Sequence, residues 1–265
     1  MNTAIRVGLL LVLAGVSSVS AQWIDHPDPK TPRTADGKPD LTAPFGRTPE
    51  GKTDLSGVWI RLPVDRRDNP GNNNLLDFMA AGATIQMRPE AAALYQHRRD
   101  VLLGSGRPSE RCLPHGIPDA MLPALPFKIV QMPGLVLILY EQLSRFRQVF
   151  ADGRAHPLGP QPAWLGYSIG RWDGDAFVIE TTGFNDKTWL DDSGHPHSEA
   201  LKTTERFRRL TFGRMDLQVT IGDPNIYTQP FTATIRLELL PDTDLIEDVC
   251  DNEKDADRIR SITGK

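Results

Sequence analysis

Long apolar runs are almost absent from this chain of 265 residues. The one clear run, residues 7–16, is too short to cross a bilayer, which takes roughly 20 apolar residues. It follows Arg6 and leads into small residues that end at Ala21, which is the pattern of a secretory signal peptide. We therefore expect residues 1–21 to be a Sec-type signal peptide cleaved after Ala21. The mature chain should then be periplasmic or extracellular, without a membrane span.

A basic cluster is also lacking. The chain has 30 Lys and Arg against 34 Asp and Glu, which gives a net charge of −4. Binding to nucleic acid or to an anionic membrane depends on concentrated positive charge, and here the arginines are interspersed with acids. We therefore expect no nucleic-acid partner and a small molecule as the ligand or substrate. Composition leaves the oligomeric state open.

Cysteine is scarce, with only Cys112 and Cys250 in the chain. An even number of cysteines in an exported protein favours a disulfide bond. Two isolated cysteines are a poor metal site, because only His115 offers a second ligand close by in sequence. We predict that the two cysteines are bridged; two buried thiols or one reactive thiol are the alternatives.

Proline and glycine divide the rest of the chain. Residues 22–53 are rich in Pro, Thr, Asp, Lys and Gly, which predicts an extended arm. The β-rich domain spans 54–250, and a charged tail occupies 251–265. One main helix is predicted near 89–103, where a proline stands at the first helical position and an apolar stripe, which includes Leu94 and Val101, can pack on a sheet.

Short strand-like runs recur through the domain, from 54–59 to 245–250. Residues 231–239 alternate between apolar and polar, which is typical of a half-buried strand. Asp152-Gly153 and Asp173-Gly174 are dipeptides that favour tight hairpin turns. Sequential hairpins with one main helix predict a mainly β fold, an antiparallel meander that closes into a calycin- or lipocalin-like barrel. A β-sandwich is the alternative.

Two motifs resemble those of an uncharacterised family of exported bacterial proteins. They are Asp-Leu-Ser-Gly-Val-Trp at 54–59, and Gly-Phe-Asn-Asp-Lys-Thr-Trp-Leu-Asp followed by Gly-His-Pro-His-Ser-Glu at 183–199. The resemblance extends over nearly the whole mature chain, and it implies no catalytic assignment. The Gly57-x-Trp59 pattern is also similar to the first strand of lipocalin-type barrels.

The segment 183–201 joins two strand runs and is longer than a hairpin needs, and long loops of this kind often carry function. A histidine beside a carboxylate can shuttle protons near neutral pH. We therefore predict His195, His197, Asp186 and Glu199 as catalytic residues. They would perform lyase, isomerase or hydrolase chemistry on a small organic substrate, with no cofactor required.

A divalent metal is an alternative for the same loop. In an extended segment His195, His197 and Glu199 would share one face and could bind Zn²⁺ or Fe²⁺. Pro196 disturbs that geometry, and the spacing differs from that of cupin metal sites. A third interpretation is purely structural, with the histidines bonded to loop carbonyls.

Four further residues are predicted to bind a ligand. Trp189 lies in the loop, Tyr140 ends a very apolar strand, Glu205 lies on a predicted strand and Trp164 precedes another. Aromatic residues at a barrel mouth would equally suit a non-catalytic protein that binds a small apolar or aromatic ligand. An interaction or structural protein is the third class.

Overall fold

The computed structural model describes residues 26–64, 73–102, 106–250 and 260–262. The predicted signal peptide and most of the charged tail lie outside the described residues. None of the helices in the described ranges has the length and apolarity that a membrane-spanning helix needs.

Nine strands form one closed barrel, in which each strand pairs with the next and β9 pairs with β1. The predicted mainly β barrel with one main helix is thereby confirmed. The strands are β1 Gly57–Arg61, β2 Phe127–Met132, β3 Leu135–Tyr140, β4 Arg145–Phe150, β5 Tyr167–Asp173, β6 Ala176–Thr182, β7 Lys202–Thr211, β8 Arg214–Gly222 and β9 Phe231–Leu239.

One neighbouring pair in the barrel is parallel. Strand directions cannot alternate all the way around a closed ring with an odd number of strands, so a ring of nine needs one such pair. Here it is β4 and β5, joined through Val149 opposite Ser168. The prediction of a hairpin at Asp152-Gly153 was wrong for this reason, since a parallel neighbour requires a longer crossover. Gly174, by contrast, turns the β5–β6 hairpin as predicted.

Residues 245–250 form no strand, which corrects a second prediction. The pairing of β1 with β9 closes the barrel, so a tenth strand has no free edge to join. The segment bonds instead to the β3–β4 connection: the Asp248 carboxylate accepts from the Leu143 N–H at 2.8 Å, and the Ile246 N–H donates to the Glu141 carboxylate at 3.3 Å. It ends at Cys250, which forms the predicted disulfide with Cys112.

The main helix lies at the predicted position but differs from its prediction in packing. Helix α1 spans Pro89–His97, and a π-helical turn, Arg98–Leu102, continues it. Leu94 and Val101 are exposed, so the predicted stripe is not its buried face. The helix contacts the 183–201 loop instead of a strand: Tyr95 stacks on a loop histidine, and Arg98 donates to the Gly194 carbonyl.

Large side chains pack the barrel. Trp59, Phe127, Phe177 and Phe207 are at most 2% exposed and belong to one continuous apolar core. In β9 the buried apolar residues alternate with exposed threonine and arginine and with a half-buried glutamate, as the sequence predicted. Because these rings fill much of the barrel, a polar site is expected mainly toward its ends.

Candidate functional site

Several connections meet at one end of the barrel, which we call the loop end. There β3 stops at Tyr140, β6 stops at Thr182, and β4 and β7 begin at Arg145 and Lys202. The 183–201 segment joins β6 to β7 and therefore lies at this end. All the catalytic residues predicted from the sequence belong to it.

The 183–201 segment is a plug, with most of its central side chains buried. Trp189 is 6% exposed, and the guanidinium of Arg98 lies 4.8 Å from the centre of its ring. Burial lowers the pKa of Arg98 to about 10. Asp186 and Glu199, however, are exposed. The structure thus places two of the predicted catalytic residues in solvent and buries the two histidines.

His195 is paired with Asp191, a residue that the sequence analysis did not select. Its Nδ1 lies 2.6 Å from Asp191 Oδ2, and the other Asp191 oxygen accepts the His195 backbone N–H at 3.1 Å. Asp191 also accepts the Leu75 N–H, and the Tyr95 ring stacks on the imidazole at 4.3 Å between centroids. The pair ties the plug to helix α1 and to the segment after residue 73.

His197 has partners at both ring nitrogens. Nε2 lies 2.6 Å from the Thr188 hydroxyl, and Nδ1 lies 3.2 Å from the Ser198 carbonyl, which can only accept. Nδ1 therefore carries the proton, and Nε2 accepts from Thr188. Burial lowers the pKa of His197, an effect that the Arg98 charge reinforces, so the ring is neutral at neutral pH. Both nitrogens of His197 are occupied, which assigns the ring a structural role in the plug.

A second histidine–carboxylate pair lies at the same end and was not predicted. His115, which precedes β2, bonds through Nδ1 to Asp119. Both residues are buried, and within the described part of the chain His115 Nε2 and Asp119 Oδ1 have no hydrogen-bond partner. A buried polar atom without a partner costs free energy, so such atoms often mark a site.

Both members of this second pair have a raised pKa. Burial raises the pKa of Asp119 to about 6, against the opposing effect of His115, and Asp191 and Asp192 raise it further. Burial alone would lower the pKa of His115, but the charge and hydrogen bond of Asp119 outweigh it and raise that pKa. The pair can therefore exchange a proton near neutral pH.

The plug is in direct contact with the segment that carries the second pair. A methyl group on Gly116 would lie 2.5 Å from the Thr188 hydroxyl oxygen, so the Gly116 backbone packs closely against the Thr188 side chain. Asp192 links them electrostatically, because it acts on His115 and lies 3.8 Å from Arg107. The two histidine–carboxylate pairs are thus parts of one polar cluster.

Tyr140 and Glu205, both predicted ligand-binding residues, lie in the barrel next to this cluster. Glu205 is 0% exposed and forms a two-pronged ion pair with Arg147, at 3.0 and 2.5 Å. Arg147 also donates to the hydroxyls of Ser168 and Thr181. Glu205 therefore lies on the interior face of β7, where its charge is paired with arginine.

The Tyr140 hydroxyl is buried beside that ion pair. Burial raises its pKa to about 12, while the Arg147 charge opposes the rise. No described group makes a well-aligned hydrogen bond with it. Tyr140 and His115 line the same small cavity, of about 10 Å³, together with Leu165 and the β3–β4 connection. That volume is about the size of one water molecule.

Trp164 is half-buried and immediately precedes Leu165. It therefore lies near the rim of the cavity, whereas Trp189 is within the plug. The structure separates these two predicted ligand-binding aromatics into different surroundings.

The predicted metal ligands do not form a binding group. His195 and His197 use ring nitrogens for Asp191, Thr188 and the Ser198 carbonyl, and Glu199 is exposed. Within the described ranges, no set of three His, Cys, Asp or Glu side chains has an arrangement that could hold a metal ion.

Comparisons with known proteins add no assignment. No protein-family model, curated protein or solved structure matches this chain. The functional argument therefore depends on the geometry of the loop end.

Proposed function

We propose that the chain is an exported enzyme that hydrolyses a small organic substrate by general acid–base catalysis at the loop end. The observation that carries this proposal is the presence of His115 and Tyr140 on one water-sized cavity. Among the described residues, His115 Nε2 is buried without a partner, and the buried Tyr140 hydroxyl makes no well-aligned hydrogen bond. His197, by contrast, has both nitrogens occupied.

The proposed roles follow from the bonding of each group. Asp119 holds His115 through Nδ1, which leaves Nε2 as the atom that takes a proton from water. With a pKa of about 12, Tyr140 remains protonated at neutral pH and can donate a hydrogen bond to a developing oxyanion. A cavity that admits one water favours hydrolysis over the lyase and isomerase alternatives.

The first test is hydrolysis of p-nitrophenyl acetate, a generic ester probe. We expect His115→Asn to lower kcat/KM about 100-fold, the usual contribution of a general base. His97→Asn is the matched control, because His97 is exposed on α1 and its loss should leave the rate unchanged. Equal rates for the wild type and His115→Asn, including rates no faster than buffer, would contradict the proposal.

Tyr140→Phe separates catalysis from folding. It removes only a buried hydroxyl that no well-aligned hydrogen bond holds, so the melting temperature should not fall. We expect at least a tenfold loss in kcat/KM. The wild-type rate should also decrease as the pH falls through the raised pKa of His115, because the protonated ring cannot act as a base. A Tyr140→Phe variant with full activity would remove tyrosine from the mechanism.

Export and family membership are parts of the same proposal. The disulfide fits an oxidising compartment, and the motifs at 54–59 and 183–199 support membership of the exported bacterial family. If export occurs as proposed, protein recovered from the periplasm should have the mass of a chain that begins at Gln22. Recovery of the uncleaved chain would contradict signal-peptide cleavage.

A further inference from the structure

A second cavity, of about 740 Å³, lies between the extended arm and the barrel. Arm residues 26–32 and 44–47 form one wall. The start of β1, the middle of β2 and the segment 239–244 form the other. None of the loop-end residues His115, Tyr140 and His195 lines it. The cavity has the size of a small-molecule site, which usually measures about 300–1,000 Å³.

The arm is tied to the barrel on both sides of this cavity. On one side Arg33 binds both carboxylate oxygens of Asp242, at 3.0 and 2.5 Å. On the other, the Phe212 N–H donates to the Ala43 carbonyl at 2.7 Å, and the Gly213 N–H donates to Leu41 at 2.9 Å. These bonds hold the wall in place, so the cavity is largely formed before any ligand binds.

On the barrel wall of the cavity the charged groups are paired. Lys128 forms an ion pair with Asp244, at 2.8 and 2.6 Å, and Asp242 is occupied by Arg33. On the arm wall, Asp28 and Lys30 are exposed and of opposite charge. An ionic ligand that contacts the barrel wall would have to displace one of the paired partners, which selects against charged molecules there.

Arg209 is a cation that lines the cavity, but it does not form an anion-binding site. Its guanidinium lies 5.1 Å from the ring centres of both Trp59 and Phe212. Its N–H groups donate to the backbone carbonyls of Asp54, Thr211 and Phe212. Arg209 is only 5% exposed, so its guanidinium serves these rings and carbonyls rather than offering a charge to a ligand.

Apolar side chains form the larger part of the surface that a ligand in this cavity would contact. The two walls contribute prolines together with aromatic and aliphatic side chains, namely Phe45, Val58, Val130, Phe212, Leu239 and Leu240. We propose that this cavity binds a neutral, largely apolar small molecule, at a site separate from the proposed catalytic one. Neutrality follows from the paired charges, and the apolar character follows from the walls.

The test uses the neutral fluorescent probe N-phenyl-1-naphthylamine with the purified full-length protein. We expect saturable binding. Ser56→Trp, which places an indole in the cavity, should weaken it at least tenfold. Thr232→Trp is the matched control on an exposed position of β9 and should bind as the wild type does. Val130→Trp, on the neighbouring strand β2, is the second blocking variant if Ser56→Trp does not fold.

A charged analogue tests the selectivity. 1-Anilinonaphthalene-8-sulfonate has a similar aromatic body, and we expect it to bind at least tenfold more weakly because the cations of the barrel wall, Lys128 and Arg209, already have partners. Absence of saturable binding by the neutral probe, equal binding by the anion, or unchanged binding in a folded blocking variant would each overturn the proposal. His115→Asn should retain probe binding, so failure here and failure of the catalytic proposal are distinguishable.

Discussion

Replacing Glu205 by alanine should lower the free energy of unfolding by about 3–5 kcal/mol, as expected when one partner of a buried ion pair is removed. Arg147 is 3% exposed and donates two hydrogen bonds to Glu205. Without that carboxylate, the guanidinium charge would remain in the barrel with neutral hydroxyls, such as those of Ser168 and Thr181, as its partners. Urea denaturation followed by circular dichroism measures the loss.

Glu180→Ala is the matched control for this experiment. Glu180 also pairs with an arginine, Arg171, at 3.2 Å, but both side chains are largely in solvent. Exposed pairs contribute less than about 1 kcal/mol, so the control should be nearly neutral. The double variant Arg147→Met/Glu205→Leu should recover much of the stability, because it removes both charges and retains volume. Similar losses for Glu205→Ala and Glu180→Ala would contradict the buried-pair explanation.

Removing the disulfide should have an effect of similar size. Cys112 and Cys250 are 138 positions apart, and closing a loop of that length contributes about 5 kcal/mol in the chain-entropy model. The bridge also fixes the end of the segment that covers the β3–β4 connection, next to the proposed catalytic cavity. We expect the double variant Cys112→Ser/Cys250→Ser to unfold at a much lower urea concentration than the oxidised wild type.

A reducing agent provides the control. Dithiothreitol should shift the wild-type transition toward that of the serine variant and should leave the variant itself unchanged. A loss below about 1 kcal/mol would show that the bridge contributes little to stability, and hence that the β3–β4 connection is held by its other bonds. A shift of the variant on reduction would show that the effect of the reagent is not on this bridge.

The sequence indicated the segment that forms the loop end, but it did not indicate which side chains would bond to each other there. His195 is buried at that end, but its carboxylate is Asp191 rather than Asp186 or Glu199. The choice failed because alternation along an extended segment was assumed, whereas Ser193 and Gly194 turn the chain so that residues four apart meet. Tyr140 and Glu205 lie on strands β3 and β7, and the period of two along each strand determines which face their side chains occupy.

His115 was not among the predicted site residues and was noted only as a possible metal ligand near Cys112. A signal was nevertheless present: His115 and Asp119 are four residues apart, the same spacing as Asp191 and His195. Two histidine–carboxylate pairs with equal spacing form a pattern that sequence reading can detect. That both lie at one end of the barrel could not be read from spacing, since the segments are far apart along the chain.

The local pattern of apolar residues and turn residues was enough to predict most of the strands and the main helix of this protein. Alternating apolar residues specify half-buried strands, and glycine at Gly134 and Gly174 permits the turns that join them. Tertiary structure alone decided the rest: which pair of strands is parallel, where 245–250 packs, and which charges meet. These outcomes depend on closing a ring and on contacts between distant segments, such as Arg147 with Glu205, and no local interaction encodes them.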